Sequence, residues 1–179
     1  MEYMKPNEIV DLFRKKLNDS ALIESRIENK TAGLKKNIYN VIWLKISPEN
    51  LQSAVKLLCD ISLYPHLAFI SGNDIGEHIE LIYCFSIYYG DRSKEVSINL
   101  VLHLSKNAAR IPTIVNLISG AQTTEREIRE MFGVTIEGLP DLPNIFLPQD
   151  FKKGVYPLRR DEKGAETMVK RKDEVRKVE

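Results

Sequence analysis

The chain has 179 residues, 43% of them hydrophobic and 28% charged, with a formal net charge of +1 at pH 7. This length and composition predict one domain of ordinary size with a substantial core, and they argue against global disorder. A charge so close to neutral gives no reason to expect a nucleic-acid partner. No apolar run approaches the roughly 20 residues of a membrane-spanning helix, and the N-terminal sequence lacks the apolar stretch of a signal peptide. We therefore expect a cytoplasmic protein.

Helical and extended patterns alternate along the first two thirds of the chain. Apolar residues at helical spacing predict a helix over residues 6–17, and Ser47 and Pro48 predict the start of a second helix that continues to about Ile61. Extended patterns predict five strands, at residues 23–29, 38–46, 67–71, 80–89 and 93–104. Gly90 and Asp91 predict a hairpin turn between the last two. Elements in this order predict an α+β fold, with a mixed sheet and helices packed on one face.

Glycine and proline residues interrupt the pattern from Gly133 onwards. We therefore predict two parts, an α+β domain at residues 1–133 and an extended tail at residues 134–179. The tail still carries apolar side chains such as Ile145 and Phe146, which need a surface to cover them, so we interpret it as a partner-binding segment.

Few residues suggest chemistry. Cys59 and Cys84 are too few and too far apart for an iron–sulfur or zinc site, and we expect two buried thiols. The three histidines are scattered, and no nucleophile and base stand out. We expect no catalytic, cofactor-binding or metal-binding residue in this chain. One alternative is a stand-alone soluble enzyme whose site is assembled from His103, Glu80 and their neighbours, and another is a generic adaptor.

The most informative motif is a run of paired charges at residues 124–133. On a helix, Glu125 lies four residues before Arg129, and Arg126 lies four residues before Glu130. This is the spacing of intrahelical ion pairs, which are worth only a few tenths of a kcal/mol each. A solvated helix with such pairs is the simplest interpretation of the motif.

Apolar residues in the same motif favour a second interpretation. Ile128, Met131 and Phe132 give the helix one packed side, and Gly133 stands where a C-cap glycine ends a helix. The charges are then fixed in place on a packed helix. Fixed carboxylates and an arginine suit bidentate pairing across a protein interface.

Several short motifs, in matching order and spacing, give the chain a resemblance to a known family. They are Glu125-Arg126-Glu127, Glu130-Met131-Phe132-Gly133, Gly138, Pro140-Asp141-Leu142 and Pro157-Leu158-Arg159-Arg160-Asp161. The chain resembles the 30 kDa (NuoC-like) subunit of respiratory complex I and of membrane-bound, energy-converting NiFe hydrogenases.

The resemblance implies a non-catalytic, peripheral subunit of an oxidoreductase complex, on the cytoplasmic side of the membrane. Its partners would be a hydrogenase-like large subunit, an iron–sulfur small subunit and a ferredoxin-like subunit, and any membrane contact would be made through other subunits. The chain would hold no cofactor, while the partners would hold iron–sulfur clusters and, in the hydrogenases, a NiFe centre. The implied interface residues are Glu125, Arg126, Glu127, Glu130, Phe132, Asp141, Arg159, Arg160 and Asp161.

The chain also departs from the usual complex I signature. The residues just before Glu125, Ala121-Gln122-Thr123-Thr124, contain no tryptophan where complex I members usually have one. Leu139 stands where histidine is common, Pro143 stands near a usual arginine, and Val155-Tyr156 stands where Gly-His is common. These departures favour a divergent branch of the family, the ferredoxin-linked hydrogenases or related ferredoxin-linked membrane oxidoreductases, which couple electron transfer to ion pumping. The NuoC-like subunit of complex I, the NADH–quinone oxidoreductase, is the alternative within the family.

Overall fold

The computed structural model describes residues 3–17, 20–32, 37–90 and 94–160. Its helices and strands are α1 (Pro6–Lys16), β1 (Leu22–Ala32), β2 (Asn37–Ile46), α2 (Leu51–Ile61), β3 (His66–Asp74), β4 (His78–Ile87), β5 (Val96–Ser105), β6 (Arg110–Pro112), α3 (Ala121–Phe132) and β7 (Thr135–Glu137). The predicted helices and strands are present, with small shifts at their ends. The sequence pattern does not predict β6 and β7, because three residues are too few to show an alternation.

Five strands form one mixed sheet in the order β1-β2-β5-β4-β3, and β6 pairs with β7 in a small parallel sheet. Within the large sheet, β2 and β5 are parallel, and the other neighbours are antiparallel. The parallel pair arises because α2 and the β3–β4 hairpin lie between β2 and β5 in the chain and carry it back across the sheet. Strands β4 and β5 are antiparallel neighbours, as the predicted hairpin requires, and Gly90 has a φ of +97°; Asp91, the other residue of the predicted turn, lies outside the described residues.

One face of the sheet carries the hydrophobic core. The alternating residues of β5 point to it, and Val96, Ile98, Leu100 and Leu102 are fully buried. Apolar residues of all three helices join the same core cluster. This arrangement confirms the predicted α+β fold with helices on one face. The core continues past the predicted division at residue 133, because Val134 is also buried; the two-part division stays a prediction.

Helix α3 approaches β3 closely because β3 has a glycine at the contact. A Cβ added to Gly72 would overlap the ring of Phe132, well inside van der Waals contact. Phe132 is buried at the end of α3. The contact therefore sets how near the charged helix lies to the sheet.

We expect Gly72→Ala to lower the free energy of unfolding by about 1–3 kcal/mol, because the ring of Phe132 has to move in a filled core. Gly120→Ala is the matched control: its φ is −63° and a Cβ there meets nothing within 4 Å. Urea denaturation measures both variants. Equal stability of the two would show that the contact at Gly72 is not tight.

Candidate functional site

A buried carboxylate anchors the first half of α3. Glu125 is fully buried; its Oε2 accepts a hydrogen bond from the Thr113 hydroxyl at 2.5 Å, and its Oε1 accepts one from the Ile114 N–H at 2.8 Å. Gln52 of α2 donates to the Thr113 carbonyl at 2.7 Å. Glu125 therefore ties α3 to the segment that precedes it, and through that segment to α2.

The environment of Glu125 is strongly desolvated. Burial raises its pKa, and the hydrogen bonds from Thr113 and Ile114 offset that rise only in part. Tyr83 of β4 is fully buried nearby, and its pKa is raised first by burial and then by the charge of Glu125. Its hydroxyl has no hydrogen-bond partner among the described residues. This end of α3 is therefore part of the interior of the domain.

A second carboxylate of α3 holds the chain that follows β7, which we call the described tail (residues 138–160). Oε1 of Glu130 accepts the Ile145 N–H at 2.8 Å, and Oε2 accepts those of Phe146 at 2.8 Å and Leu147 at 3.0 Å. Burial raises the pKa of Glu130, but these three donors and the charge of Arg129 outweigh it, so the pKa lies below the ordinary value of 4.5. One side chain thus fixes three consecutive backbone groups.

Two arginines of α3 hold the preceding turn of the tail. Nη2 of Arg129 donates to the Leu142 carbonyl at 3.0 Å, and Nη2 of Arg126 donates to the Pro143 carbonyl. Nη1 of Arg129 also lies 4.0 Å from the exposed Asp141, a contact that adds little to stability. Side chains of α3 therefore satisfy both the carbonyl and the N–H groups of a segment that belongs to no helix or strand.

The tail returns to the C-terminal end of α3. Nε of Arg159 donates to the Phe132 carbonyl at 2.6 Å, and its guanidinium lies 4.5 Å from the centre of the Tyr156 ring. A cation is favourable here because free carbonyls make this end of a helix negative. Gly133, with a φ of +65°, ends the helix as predicted, and a Cβ on it would overlap the Tyr156 ring.

A third carboxylate fixes the last described residue. Asp74, at the end of β3, is 3% exposed and accepts hydrogen bonds from Lys106 Nζ at 2.6 Å, the Arg160 N–H at 2.7 Å and the Gly76 N–H at 3.0 Å. Burial raises its pKa, but these donors outweigh the burial and leave the pKa below its ordinary value. The tail is thus attached to the sheet as well as to α3.

The predicted interface residues occupy three kinds of position. Glu125, Glu130 and Phe132 are buried within the chain; Arg126, Glu127 and Arg159 are half-buried; Asp141 and Arg160 are exposed. Asp161 lies outside the described residues. That these residues contact a partner stays a prediction, although most of them also have partners in this chain.

The carboxylates of Glu125 and Glu130 do not form the ion pairs that their spacing on the helix predicts. Within the described residues, Glu125 and Glu130 direct their oxygens to the hydroxyl and backbone N–H groups named above, and not to arginines one turn away. Sequence reasoning also misses Asp74 and Thr113. Arg160, which donates to Asp74, lies 86 residues away in the chain, and Glu125, the partner of Thr113, lies 12 residues away, so only the tertiary path brings these pairs together.

Four large apolar side chains of the described tail face solvent. Leu142 is 38% exposed, Ile145 45%, Phe146 46% and Leu158 53%. The contacts to α3 hold the backbone at or beside each of them. We call these four the apolar tail residues. Their exposure on a fixed backbone is typical of a surface that another protein covers.

Other candidate groups lie on the opposite face of the sheet. Nε2 of His103 is 3.1 Å from Oε2 of Glu80, in an open groove of about 460 Å³ that Arg26 and Trp43 also line. This is the pair that the enzyme alternative requires. Within the described residues, no group of three or more His, Cys, Asp and Glu side chains is placed to hold a metal ion.

The two cysteines are free thiols and half-buried, so the expectation of two buried thiols is wrong. Burial raises the pKa of Cys84 to about 11, and burial followed by the charge of Asp60 raises the pKa of Cys59.

Among the helices of the described residues, none combines the length and the apolar character needed to span a bilayer.

We expect Glu130→Ala to release the tail from α3, because three N–H groups lose their acceptor, and to cost about 1–3 kcal/mol of stability. Limited trypsin digestion after Lys152 and Lys153, with urea denaturation alongside, measures both effects. Glu127→Ala is the control, since Glu127 is half-buried on the same helix and makes no hydrogen bond or ion pair to the described tail. Unchanged digestion of Glu130→Ala would contradict the assignment.

Glu130 also gives the stability a dependence on acid. Its folded-state pKa is below the ordinary 4.5, so its contribution is present above that pH and is lost as the pH falls through the folded-state pKa. Urea denaturation from about pH 7 to about pH 3 should show a smaller loss of stability in Glu130→Gln than in the wild type. Parallel curves for the two proteins would show that the pKa of Glu130 does not change on folding.

Comparison with known proteins identifies the family. The model of the respiratory-chain NADH dehydrogenase 30 kDa subunit family matches residues 44–168. The beta subunit of the membrane-bound hydrogenase of Pyrococcus furiosus is 32% identical over 151 residues, 83% of this chain and 87% of that protein. The C/D subunit of the NADH-quinone oxidoreductase of Salmonella typhimurium is 38% identical over 81 residues, 43% of this chain and only 13% of that longer protein.

Two solved structures share the fold. A chain in the structure of the membrane-bound sulfane sulfur reductase, an archaeal respiratory membrane complex, has a TM-score of 0.65 at 19% identity, over 97% of this chain and 91% of that one. A trypsin-resistant fragment of Nqo5 has a TM-score of 0.57 at 20% identity, over 78% of this chain and 100% of the fragment. With the family match over residues 44–168, the chain belongs to the respiratory-chain NADH dehydrogenase 30 kDa subunit family.

Proposed function

We propose that this chain is a non-catalytic, peripheral subunit of a membrane-bound, ferredoxin-linked, energy-converting oxidoreductase of the NiFe-hydrogenase type. In this role its tail and α3 pack against a hydrogenase-like large subunit, near an iron–sulfur small subunit and a ferredoxin-like subunit. The chain lies on the cytoplasmic side of the membrane, which other subunits contact. The partners hold the iron–sulfur clusters and the NiFe centre, and electron transfer through them drives ion pumping.

The observation that carries the proposal is the way the apolar tail residues are exposed. A free linker would leave such side chains on a moving backbone, whereas here Glu130 and Arg129 hold the backbone that bears Ile145, Phe146 and Leu142. Fixing these side chains outward exposes apolar surface to water, which is unfavourable unless a partner covers it. An interface with another subunit supplies that cover.

Relatives in two kinds of complex support two branches of the proposal. The match to the hydrogenase beta subunit covers 83% of this chain, and the match to the C/D subunit covers 43% of it. The departures at Leu139 and Val155-Tyr156 also favour the hydrogenase branch over complex I. The NuoC-like subunit of complex I is therefore the second candidate.

The alternative that this chain is a stand-alone enzyme depends on one contact, between His103 and Glu80. His103 and Glu80 are 3.1 Å apart, and both are only partly buried, in a groove that is open to solvent. A histidine beside a carboxylate on an exposed sheet face is also an ordinary cross-strand pair, since the two residues are directly opposite in the β4–β5 ladder. This contact favours a structural pair.

The test is gentle extraction of the tagged chain from source membranes, with analysis of co-purified proteins and metals. A large partner together with nickel and iron supports the hydrogenase branch, and iron without nickel supports complex I or another relative. Recovery of the chain alone and free of metal would overturn the subunit assignment.

We expect Ile145→Ser with Phe146→Ser to reduce co-purification strongly while leaving the isolated chain folded, because both side chains are about half exposed. Leu63→Ser with Tyr64→Ser is the matched control, since these side chains are 67% and 71% exposed in the loop between α2 and β3. Native gels score assembly, and circular dichroism scores folding. Full assembly of the Ile145/Phe146 variant would contradict a role for the tail in docking.

A further inference from the structure

A groove of about 520 Å³ lies beside α3 within the described tail. Its lining includes three cationic side chains, Arg129, Lys152 and Lys153, and two carboxylates, Glu130 and Asp141. Charges of opposite sign in a groove neutralise each other only where the side chains are in contact. The contacts of each charged side chain therefore determine the charge that the groove exposes.

Only one of the two carboxylates is withdrawn from the groove. Glu130 is 5% exposed, and its two oxygens accept three backbone N–H groups. Asp141 is fully exposed, and its 4.0 Å contact with Arg129 leaves its charge in solvent. With Glu130 buried, the groove lining has three cationic side chains against the one exposed carboxylate of Asp141, and so presents an excess of positive charge.

Lys152 and Lys153 are both exposed, and within the part of the chain described by the structure neither ammonium group has a carboxylate partner. They are adjacent in sequence, on the loop that closes the groove before Gly154. A pair of unopposed cations on a groove wall attracts carboxylates of another molecule.

We propose that this groove binds an acidic segment of a partner subunit, with Lys152 and Lys153 facing its carboxylates. The inference rests on the proposed function, because it assigns chemistry to the partner at the tail. Phe151 and Tyr156 also line the groove and offer apolar contact to the same segment. The docked surface then has an apolar part, at Ile145 and its neighbours, and a cationic part at the lysines.

A protein segment fits the groove better than a nucleic acid. Protein–DNA contacts commonly engage several phosphates, on the order of six to ten for a well-studied repressor-like site, whereas two lysines are unopposed here. The chain as a whole carries a net charge of only +1. A groove of this volume also holds a few side chains and not a duplex.

Zero-length carbodiimide cross-linking of the extracted complex tests the assignment, because the reagent joins lysine amines only to carboxylates in direct contact. Peptide mass spectrometry should find Lys152 or Lys153 joined to aspartate or glutamate residues clustered in one segment of a partner. Cross-links from these lysines only to their own chain would overturn the proposal.

Charge reversal gives an independent readout. We expect Lys152→Glu with Lys153→Glu to weaken retention of the partner about tenfold at low salt, with less effect at high salt. Lys15→Glu with Lys16→Glu is the matched control, an exposed lysine pair on α1 with the same change in charge.

Equal retention by both variants would overturn the groove assignment while leaving the subunit function standing. Release of the partner by nuclease would assign the lysines to nucleic acid and overturn the acidic-segment proposal, and recovery of the wild-type chain alone would overturn both proposals.

Discussion

The segment of the tail around Ile145 depends on one side chain, the buried carboxylate of Glu130, which accepts three consecutive backbone N–H groups. The segment around Ile145 belongs to no helix or strand, so its backbone groups need partners from elsewhere. Water could supply them, but the segment would then be free to move. A carboxylate on a packed helix fixes it instead, and its charge strengthens each bond. The contacts of Arg126 and Arg129 to the neighbouring carbonyls follow from the same placement.

Helix α3 can hold the tail because the domain holds α3. Glu125 connects it to the segment before it, and the ring of Phe132 fills the space that Gly72 leaves on β3. The motif that suggested an interface is therefore largely internal: its carboxylates position the backbone, and the backbone positions the side chains that face outward. A substitution in the motif is expected to affect docking indirectly, through the shape of the tail, as much as through lost contacts with a partner.

The sequence predicts the elements of the fold well, because the five alternating apolar residues of β5 and the apolar stripe of α1 report periodicity directly. It also predicts the end of α3, since Gly133 is the residue type that a left-handed C-cap requires. It does not predict the partners of Glu125, Glu130 and Asp74. Those partners are mostly backbone groups, which carry no residue-specific signal, on segments whose path is set by tertiary packing. The spacing of Glu125 and Arg129 predicts an ion pair, but the carboxylate of Glu125 is buried and bonds to Thr113 and Ile114 instead.

Hydroxyl-radical footprinting is the first measurement to make on the proposal that the tail presents a fixed apolar surface to another subunit. The oxidation rates of Leu142, Ile145, Phe146 and Leu158 are compared between the isolated chain and the complex extracted from membranes. We expect ready oxidation of these four side chains in the isolated chain and strong protection in the complex, with buried core residues such as Phe13 unchanged. Equal oxidation of the four side chains in both preparations would contradict it.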